Sequence, residues 1–167
     1  MPINTKVSLS TFQNMDGSNF STAGIDAGVN VGRGSLGLYA GVGTNFTDDS
    51  TGAIIDFKGN MPYGETPLSG GFRIRNNINE NSQTVQVRLQ PVTVNIPISE
   101  NAKLYTTPYS ATKINYKTGD TNTTFGAFGG VSTKVDKASI FVEGQLYDVT
   151  KVNKSTIGLN AGVSIPF

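Results

Sequence analysis

The sequence predicts an all-β protein, an antiparallel up-and-down closed β-barrel of about ten strands, and three observations predict it. Apolar and non-apolar residues alternate with a period of two almost throughout, and the 3.6-residue period of a helix is nearly absent. The alternating runs are joined by short polar connections, several of them tight turns. Glycine, 20 of the 167 residues, gathers on the face opposite the apolar one. The whole of 1–167 reads as a single β-barrel domain, with no linker or low-complexity tail.

The first run, 4–13, leads into 22–32, where Ala23, Ile25, Ala27, Val29 and Val31 alternate with Gly24, Asp26, Gly28 and Asn30. In 35–47 one face carries Leu36, Leu38, Ala40, Val42, Thr44 and Phe46, and the other Gly37, Tyr39, Gly41, Gly43 and Asn45. The strands 52–61 and 71–77 follow. In 83–98 the apolar parity changes at Pro91, from Val85, Val87 and Leu89 to Val92, Val94, Ile96 and Ile98. A β-bulge or sharp bend there would switch the faces, because proline donates no ladder bond; two short strands are the alternative. The runs 102–117, 122–135, 138–149 and 154–167 complete the set. In the last, Ile157, Leu159, Ala161, Val163, Ile165 and Phe167 oppose Gly158, Asn160, Gly162 and Ser164. A one-residue slip would exchange the faces, so register is strongly specified. An eight-stranded barrel with an extra hairpin is the fallback topology.

The connections divide the barrel ends. Tight turns such as Arg33-Gly34, Ser99-Glu100-Asn101 and Asp136-Lys137 fall on one end. Longer loops fall on the other, and the 62–70 segment is the exception on the turn end. A mid-strand echo, Ala27-Gly28-Val29, Ala40-Gly41-Val42, Gly129-Gly130-Val131 and Ala161-Gly162-Val163, reads as one packing environment reused rather than as duplication.

The faces are inside-out relative to a water-soluble barrel. The glycine-rich face also holds Asp26, Asp56, Lys58, Arg73, Arg75, Arg88, Lys134 and Glu143, which would fill a narrow lumen as ion pairs. Val29, Leu38, Val42, Ile140, Val163 and Ile165 would point outward, toward lipid or another subunit. Most runs meet the roughly 9–11 residues that a tilted strand needs to cross hydrocarbon. Phe46 and Phe125 at the loop end, with Phe72 and Phe167 at the turn end, could form interfacial girdles, although Trp is absent.

The C-terminal Asn160-Ala161-Gly162-Val163-Ser164-Ile165-Pro166-Phe167 resembles the terminal β-signal of bacterial outer-membrane β-barrel proteins. Asn160, Gly162, Ile165 and Phe167 take the polar, glycine, hydrophobic and terminal aromatic places; Pro166 is a departure. The hairpin pattern resembles that family over the whole chain. The resemblance implies recognition by the barrel-assembly machinery, insertion among membrane lipids, and an outer-membrane or cell-surface location.

Composition narrows the chemistry. The chain has no His and no Cys, which excludes imidazole bases, Ser-His-Asp triads, thiolate nucleophiles, disulfides and Cys- or His-bound metals. Thirteen Lys+Arg against twelve Asp+Glu leave a formal charge of +1, so no basic field argues for nucleic acid. No apolar run is long enough for a transmembrane helix. The start, Met1-Pro2-Ile3-Asn4-Thr5-Lys6, has no apolar signal segment, which suits either a protein that is not exported or one whose signal has been removed.

Several motifs have ordinary explanations. Gly32-Arg33-Gly34-Ser35-Leu36-Gly37 matches G-x-G-x-x-G, but a strand follows where a dinucleotide site needs a helix. Asn14-Met15-Asp16-Gly17-Ser18-Asn19 lacks the closing bidentate carboxylate of a calcium loop. Asp48-Asp49 reads as a solvated loop tip. The sequons at Asn19, Asn45, Asn122 and Asn153 carry little information in a chain this rich in Asn and Thr. Tyr105, Tyr109 and Tyr116, interleaved with Lys103, Lys113 and Lys117, read as barrel packing rather than a sugar- or nucleic-acid-binding sheet. Asp26, Asp56 and Glu143 read as ion-pair partners rather than a glycosidase couple, because the cations around them oppose a raised pKa. No catalytic residue, cofactor or metal is expected.

The expectation is a small outer-membrane-type barrel, largely plugged and non-enzymatic, with a structural or interaction role. Two other readings share the pattern. One is a self-assembling subunit of an extracellular tube, fibre or virion, its apolar face packed on copies of itself. The other is a soluble barrel with the faces reversed, binding a small ligand.

Overall fold

The computed structural model describes residues 2–80, 82–153 and 156–167. Ten strands run in order: β1 (Ile3–Asn14), β2 (Asn19–Val31), β3 (Gly34–Asn45), β4 (Ser50–Pro62), β5 (Leu68–Asn79), β6 (Gln83–Pro97), β7 (Ala102–Asn115), β8 (Thr121–Val135), β9 (Ala138–Leu146) and β10 (Ile157–Pro166). Each pairs antiparallel with its sequence neighbours, and β1 pairs with β10 to close the barrel. The closing register runs from Lys6 opposite Pro166 to Asn14 opposite Gly158. Closure leaves no edge strand. The ten-stranded meander predicted from the alternation is therefore the fold, and the eight-stranded fallback is not.

Local chemistry accounts for the turns. Gly32 takes φ 59° at the first position of the two-residue β2–β3 turn, which suits the twist of a hairpin. In the G-x-G-x-x-G stretch a strand does follow. Asp136, at φ 52°, holds the matching place between β8 and β9. At the other end Asp16 accepts hydrogen bonds from the Ser18 backbone N–H (2.9 Å) and hydroxyl (2.7 Å), so its oxygens close a turn. The same side-chain turn recurs where Asp48 accepts from the Ser50 N–H and Asp148 from the Thr150 N–H and hydroxyl.

The bulge at Pro91 is present. Between Leu89 and Val94 on β6 the register against β7 passes only from Ser110 to Thr106, so β6 carries one extra residue. The same surplus opens against β5 between Ser69 and Gly71. β6 is thus one strand, with its faces exchanged midway.

Some boundaries differ from the sequence reading. β5 begins at Leu68 rather than residue 71, despite the surrounding Pro and Gly residues, because Met61 and Pro62 pair with Gly70 and Ser69. The Tyr63 hydroxyl ties the segment down by donating to the Pro91 carbonyl at 2.6 Å. β9 stops at Leu146 rather than 149: Tyr147 meets Phe12 edge-on at 5.3 Å, and Asp148 starts its turn. β10 begins at Ile157; of its expected start, Lys154 and Ser155 lie outside the described residues, as does part of the Asn153 sequon.

The burial pattern is inverted relative to a soluble barrel. Tyr39, Ile54, Tyr109 and Ala111 are buried inside, together with Asp26, Asp56, Thr107 and Glu143. Ile25, Leu38, Val42, Ile55, Leu89, Val142 and Ile165 are exposed on the outer wall. Lumen rings stand over glycines: a Cβ at Gly24 or Gly41 would strike the Tyr39 ring or hydroxyl, at Gly126 the Tyr109 ring, at Gly158 the Phe12 ring. Glycine here is spatial, making room for an aromatic in a narrow lumen.

Candidate functional site

Among the described residues, charged and polar side chains converge in the lumen. Strand alternation sends the residues of one parity inward, and cross-strand pairing stacks them into rows. One row runs unbroken around most of the wall: Lys6, Asp26, Tyr39, Asp56, Arg75, Gln86 and Lys113, from β1 to β7. The adjacent row sets Lys58, Arg73 and Arg88 side by side.

Two carboxylates organise this wall. Asp56 is 1% exposed and accepts from Arg73 Nε at 3.0 Å and from Arg75 Nε and Nη2 at 2.9 Å each. Asp26 pairs with Lys58 and accepts from the Ser8 hydroxyl at 2.9 Å. Both therefore sit in charge-assisted networks, the arrangement that makes a buried carboxylate tolerable.

The remaining residues expected in lumen ion pairs are placed differently. Glu143 is buried, but its partners are neutral: the Tyr105 hydroxyl at 2.8 Å, Asn160 Nδ2 at 2.8 Å and the Gln145 amide. Arg88 is buried against ring faces, its guanidinium carbon 4.3 Å from the Tyr109 centroid and 6.0 Å from that of Phe128. Lys134 is exposed near the end of β8. Among the described residues, no ion pair involves Arg88, Lys134 or Glu143.

Sequence reasoning missed part of the lumen. Lys6, Lys103 and Lys113 also have inward parity, and Phe12, Phe20, Phe128 and Phe141 point inward beside the tyrosines. The signal was available: Lys6 shares the parity of Ser8 and Ser10, and Lys113 that of Tyr109. Tyr105 and Tyr109 pack inside, whereas Tyr116 is exposed in the β7–β8 loop.

A charge separation results. Among the described residues, the strands carry eight bases (Lys6, Lys58, Arg73, Arg75, Arg88, Lys103, Lys113 and Lys134) and three acids (Asp26, Asp56 and Glu143), all of inward parity. The other acids lie in the connections. A formal charge of +1 therefore conceals a basic interior beneath acidic loops.

The outer wall carries Val29, Leu38, Val42, Ile140, Val163 and Ile165; Leu38, Val42, Ile140 and Ile165 are exposed and the two valines 29 and 163 half-buried. Phe46, Phe125 and Phe167 are also exposed, whereas Phe72 lies over Gly59 beside Phe57 at 5.5 Å. Of the C-terminal motif, Asn160 and Gly162 face inward, Gly162 beneath the Phe141 ring. Ile165 and Phe167 face outward, and Phe167 N–H donates to the Thr5 carbonyl at 3.3 Å.

Two cavities of about 550 and 500 Å³ occupy the lumen and share Lys6, Asp26, Lys58 and Arg73. Among the described residues, no group of three His, Cys, Asp or Glu side chains is placed to hold a metal ion.

No protein-family profile matches the sequence, and no curated protein matches it. Solved structures similar to the chain include a loop-deleted OmpT, an outer membrane protein of Vibrio cholerae, at 14% identity and TM-score 0.45 over 89% of this chain. The chain spans 54% of the length of that protein. A KdgM porin in complex with disordered oligogalacturonate is similar over 97% of this chain and 99% of the porin, at 9% identity and TM-score 0.48. A de novo designed transmembrane β-barrel is similar over 98% of this chain and 95% of its own, at 14% identity and TM-score 0.47.

Proposed function

We propose that the chain is a small outer-membrane-type β-barrel, its lumen largely filled by side chains, with a structural or interaction role and no catalytic one. The observation that carries the reading is the sorting of charge: every charged strand residue described has inward parity, and the outer wall has none. A solvated outer wall would have no reason to exclude charge completely. A hydrocarbon one would, since Arg or Lys at the bilayer midplane costs about 2–4 kcal/mol. The apolar run from Ala23 to Val31 on β2 rises roughly 23 Å at the usual tilt, close to the apolar band of about 25 Å in such barrels.

Buried Tyr39, Ile54, Thr107 and Tyr109 support a lumen occupied by side chains around its two cavities, and among the described residues the short connections build no large binding surface. The carboxylates best placed for acid–base work are engaged, Asp26 and Asp56 by cations and Glu143 by three neutral donors. Lipid is the neighbour this reading assigns to the outer wall, and Asn160, Gly162, Ile165 and Phe167 would serve as the signal read by the barrel-assembly machinery.

The chain has no cysteine, so single labels are unique. Val29→Cys, Val42→Cys and Val163→Cys, spin-labelled in reconstituted protein, are expected to be relaxed by dissolved oxygen and shielded from aqueous nickel. Immobilised labels shielded from both would replace lipid by a second copy of the chain. Labels open to nickel at all three positions would end the membrane reading.

A further inference from the structure

We propose that the lumen holds a small oxyanion, of the carboxylate or phosphate class, between Arg75, Arg88 and Lys113 near the loop end. The cross-strand register sets Arg88 directly opposite Arg73, a like-charge pairing that is unfavourable unless something negative lies between or beside the two. The row beyond places Arg75, Gln86 and Lys113 on three consecutive strands. The carboxylates on these rows are Asp56, shared by Arg73 and Arg75, and Asp26, paired with Lys58. Lys6, Lys58, Arg73, Arg75, Arg88 and Lys113 thus share two carboxylates, and among the described residues neither is paired with Arg88 or Lys113.

Arg88 is the centre of the argument. It is 9% exposed, its buried Nε has no hydrogen-bond partner among the described residues, and aromatic faces rather than a carboxylate receive its charge. A buried guanidinium is ordinarily both charge-paired and hydrogen-bonded. Arg75, Arg88 and Lys113 all line the same cavity of about 500 Å³, and Lys113 is exposed. The same cavity is also lined by Lys6, Lys58 and Arg73 with the carboxylates Asp26 and Asp56 that pair the last two, and by the neutral Ser8, Ser139 and Asn160. The space accepts an anion, with the Arg88 guanidinium to bind it, Arg75 beside it on Asp56, and the Lys113 ammonium on the loop-end side.

The inference is independent of the bilayer reading, because it is tested on protein folded in zwitterionic detergent. Calorimetric titrations with sodium phosphate and with sodium succinate are compared with sodium chloride at equal ionic strength. Saturable binding of one or both oxyanions is expected, and the tighter of the two identifies the class. Lys113→Met, at an exposed position that does not bear on folding, is expected to weaken it about tenfold, the scale of one charge-assisted contact. Arg88→Met is expected to abolish it where the variant keeps the heat-modifiable migration of the folded barrel. Lys6→Met, in the same cavity but outside the trio, is expected to change it less than twofold. Absence of saturable binding in the parent protein would overturn the site. Equal losses from Lys6→Met and Lys113→Met would overturn it too, by showing a diffuse field.

Discussion

A Cβ at Gly41 would lie 2.3 Å from the Ala23 carbonyl oxygen and 2.5 Å from the Tyr39 hydroxyl, whereas one at Gly28 meets only the Leu36 carbonyl at 3.4 Å. The two glycines look alike in sequence, both mid-strand and both inward. Gly41→Leu is expected to abolish the heat-modifiable folded band, and Gly28→Val to leave it with a modest loss in melting temperature. Equal damage from both would remove the steric account of the lumen. The loop aspartates make a separate residue-scale statement. Hydrogen bonds from the Ser18 hydroxyl and N–H hold Asp16 below the ordinary aspartate range; Ser50 does the same for Asp48, and Thr150 for Asp148. A lowered folded-state pKa means that loop order is favoured above about pH 3.9, the unfolded value, and lost as pH falls through the folded values. Carboxyl NMR titration should place all three below free aspartate, and Ser18→Ala should return Asp16 toward it. Ordinary titration of Asp16 in the parent protein would contradict the turn geometry.

At the scale of the element, the extra residue of β6 matches its change of parity and keeps both halves facing the same way. Before the bulge Val85, Val87 and Leu89 face out and Arg88 faces in; after it Val94 and Ile96 face out and Thr93 faces in, where it bonds the Thr107 hydroxyl at 2.8 Å. Deleting Pro91 would remove the bulge and the parity change together, leaving Val85, Val87, Leu89, Val92, Val94 and Ile96 on one face of a regular strand, whereas one alanine inserted between Val87 and Arg88 would turn one half of β6 the wrong way. The insertion is expected to prevent refolding into detergent, while the Pro91 deletion and Pro91→Ala both refold with a lower melting temperature. A Pro91 deletion that fails to refold, or an insertion variant that refolds as well as the parent, would refute this account of the parity switch.

For the molecule as a whole, the stability of the barrel in a bilayer should depend on depth. Leu38 and Val163 lie near the middle of the apolar runs of β3 and β10, whereas Val42 is the last apolar residue before Thr44. Leu38→Arg and Val163→Arg are each expected to cost about 2–4 kcal/mol in reconstituted unfolding equilibria, and Val42→Arg less. Against a net stability of about 5–15 kcal/mol, the first two should also visibly reduce insertion. Inward Asn30→Arg, exposed near the turn end, is expected to be near neutral. A flat response with depth would mean that the outer wall does not meet a hydrocarbon slab.

The alternation of Ala23 to Val31 and of Leu36 to Val42 was sufficient by itself to determine strands, register and the inverted sidedness, because a period of two commits every side chain to one face. The parity change at Pro91 likewise placed the bulge before any pairing was known. Strand ends were less legible: Tyr147 leaves the ladder for a contact with Phe12, more than a hundred residues away, and no local pattern encodes that. The lumen was legible only as a list of inward polar residues. Whether Arg88 meets a carboxylate or a ring, and whether Glu143 meets a cation or three neutral donors, follows from how side chains of neighbouring and next-but-one strands meet inside the closed wall. Arg88 lies on Tyr109 of β7 and Phe128 of β8, and Glu143 on Asn160 of β10 and Tyr105 of β7. Periodicity decides the face a residue occupies, and only closure decides what it faces there. That is why the inside-out architecture belongs to the sequence, and the uncompensated charge of Arg88 to the tertiary structure.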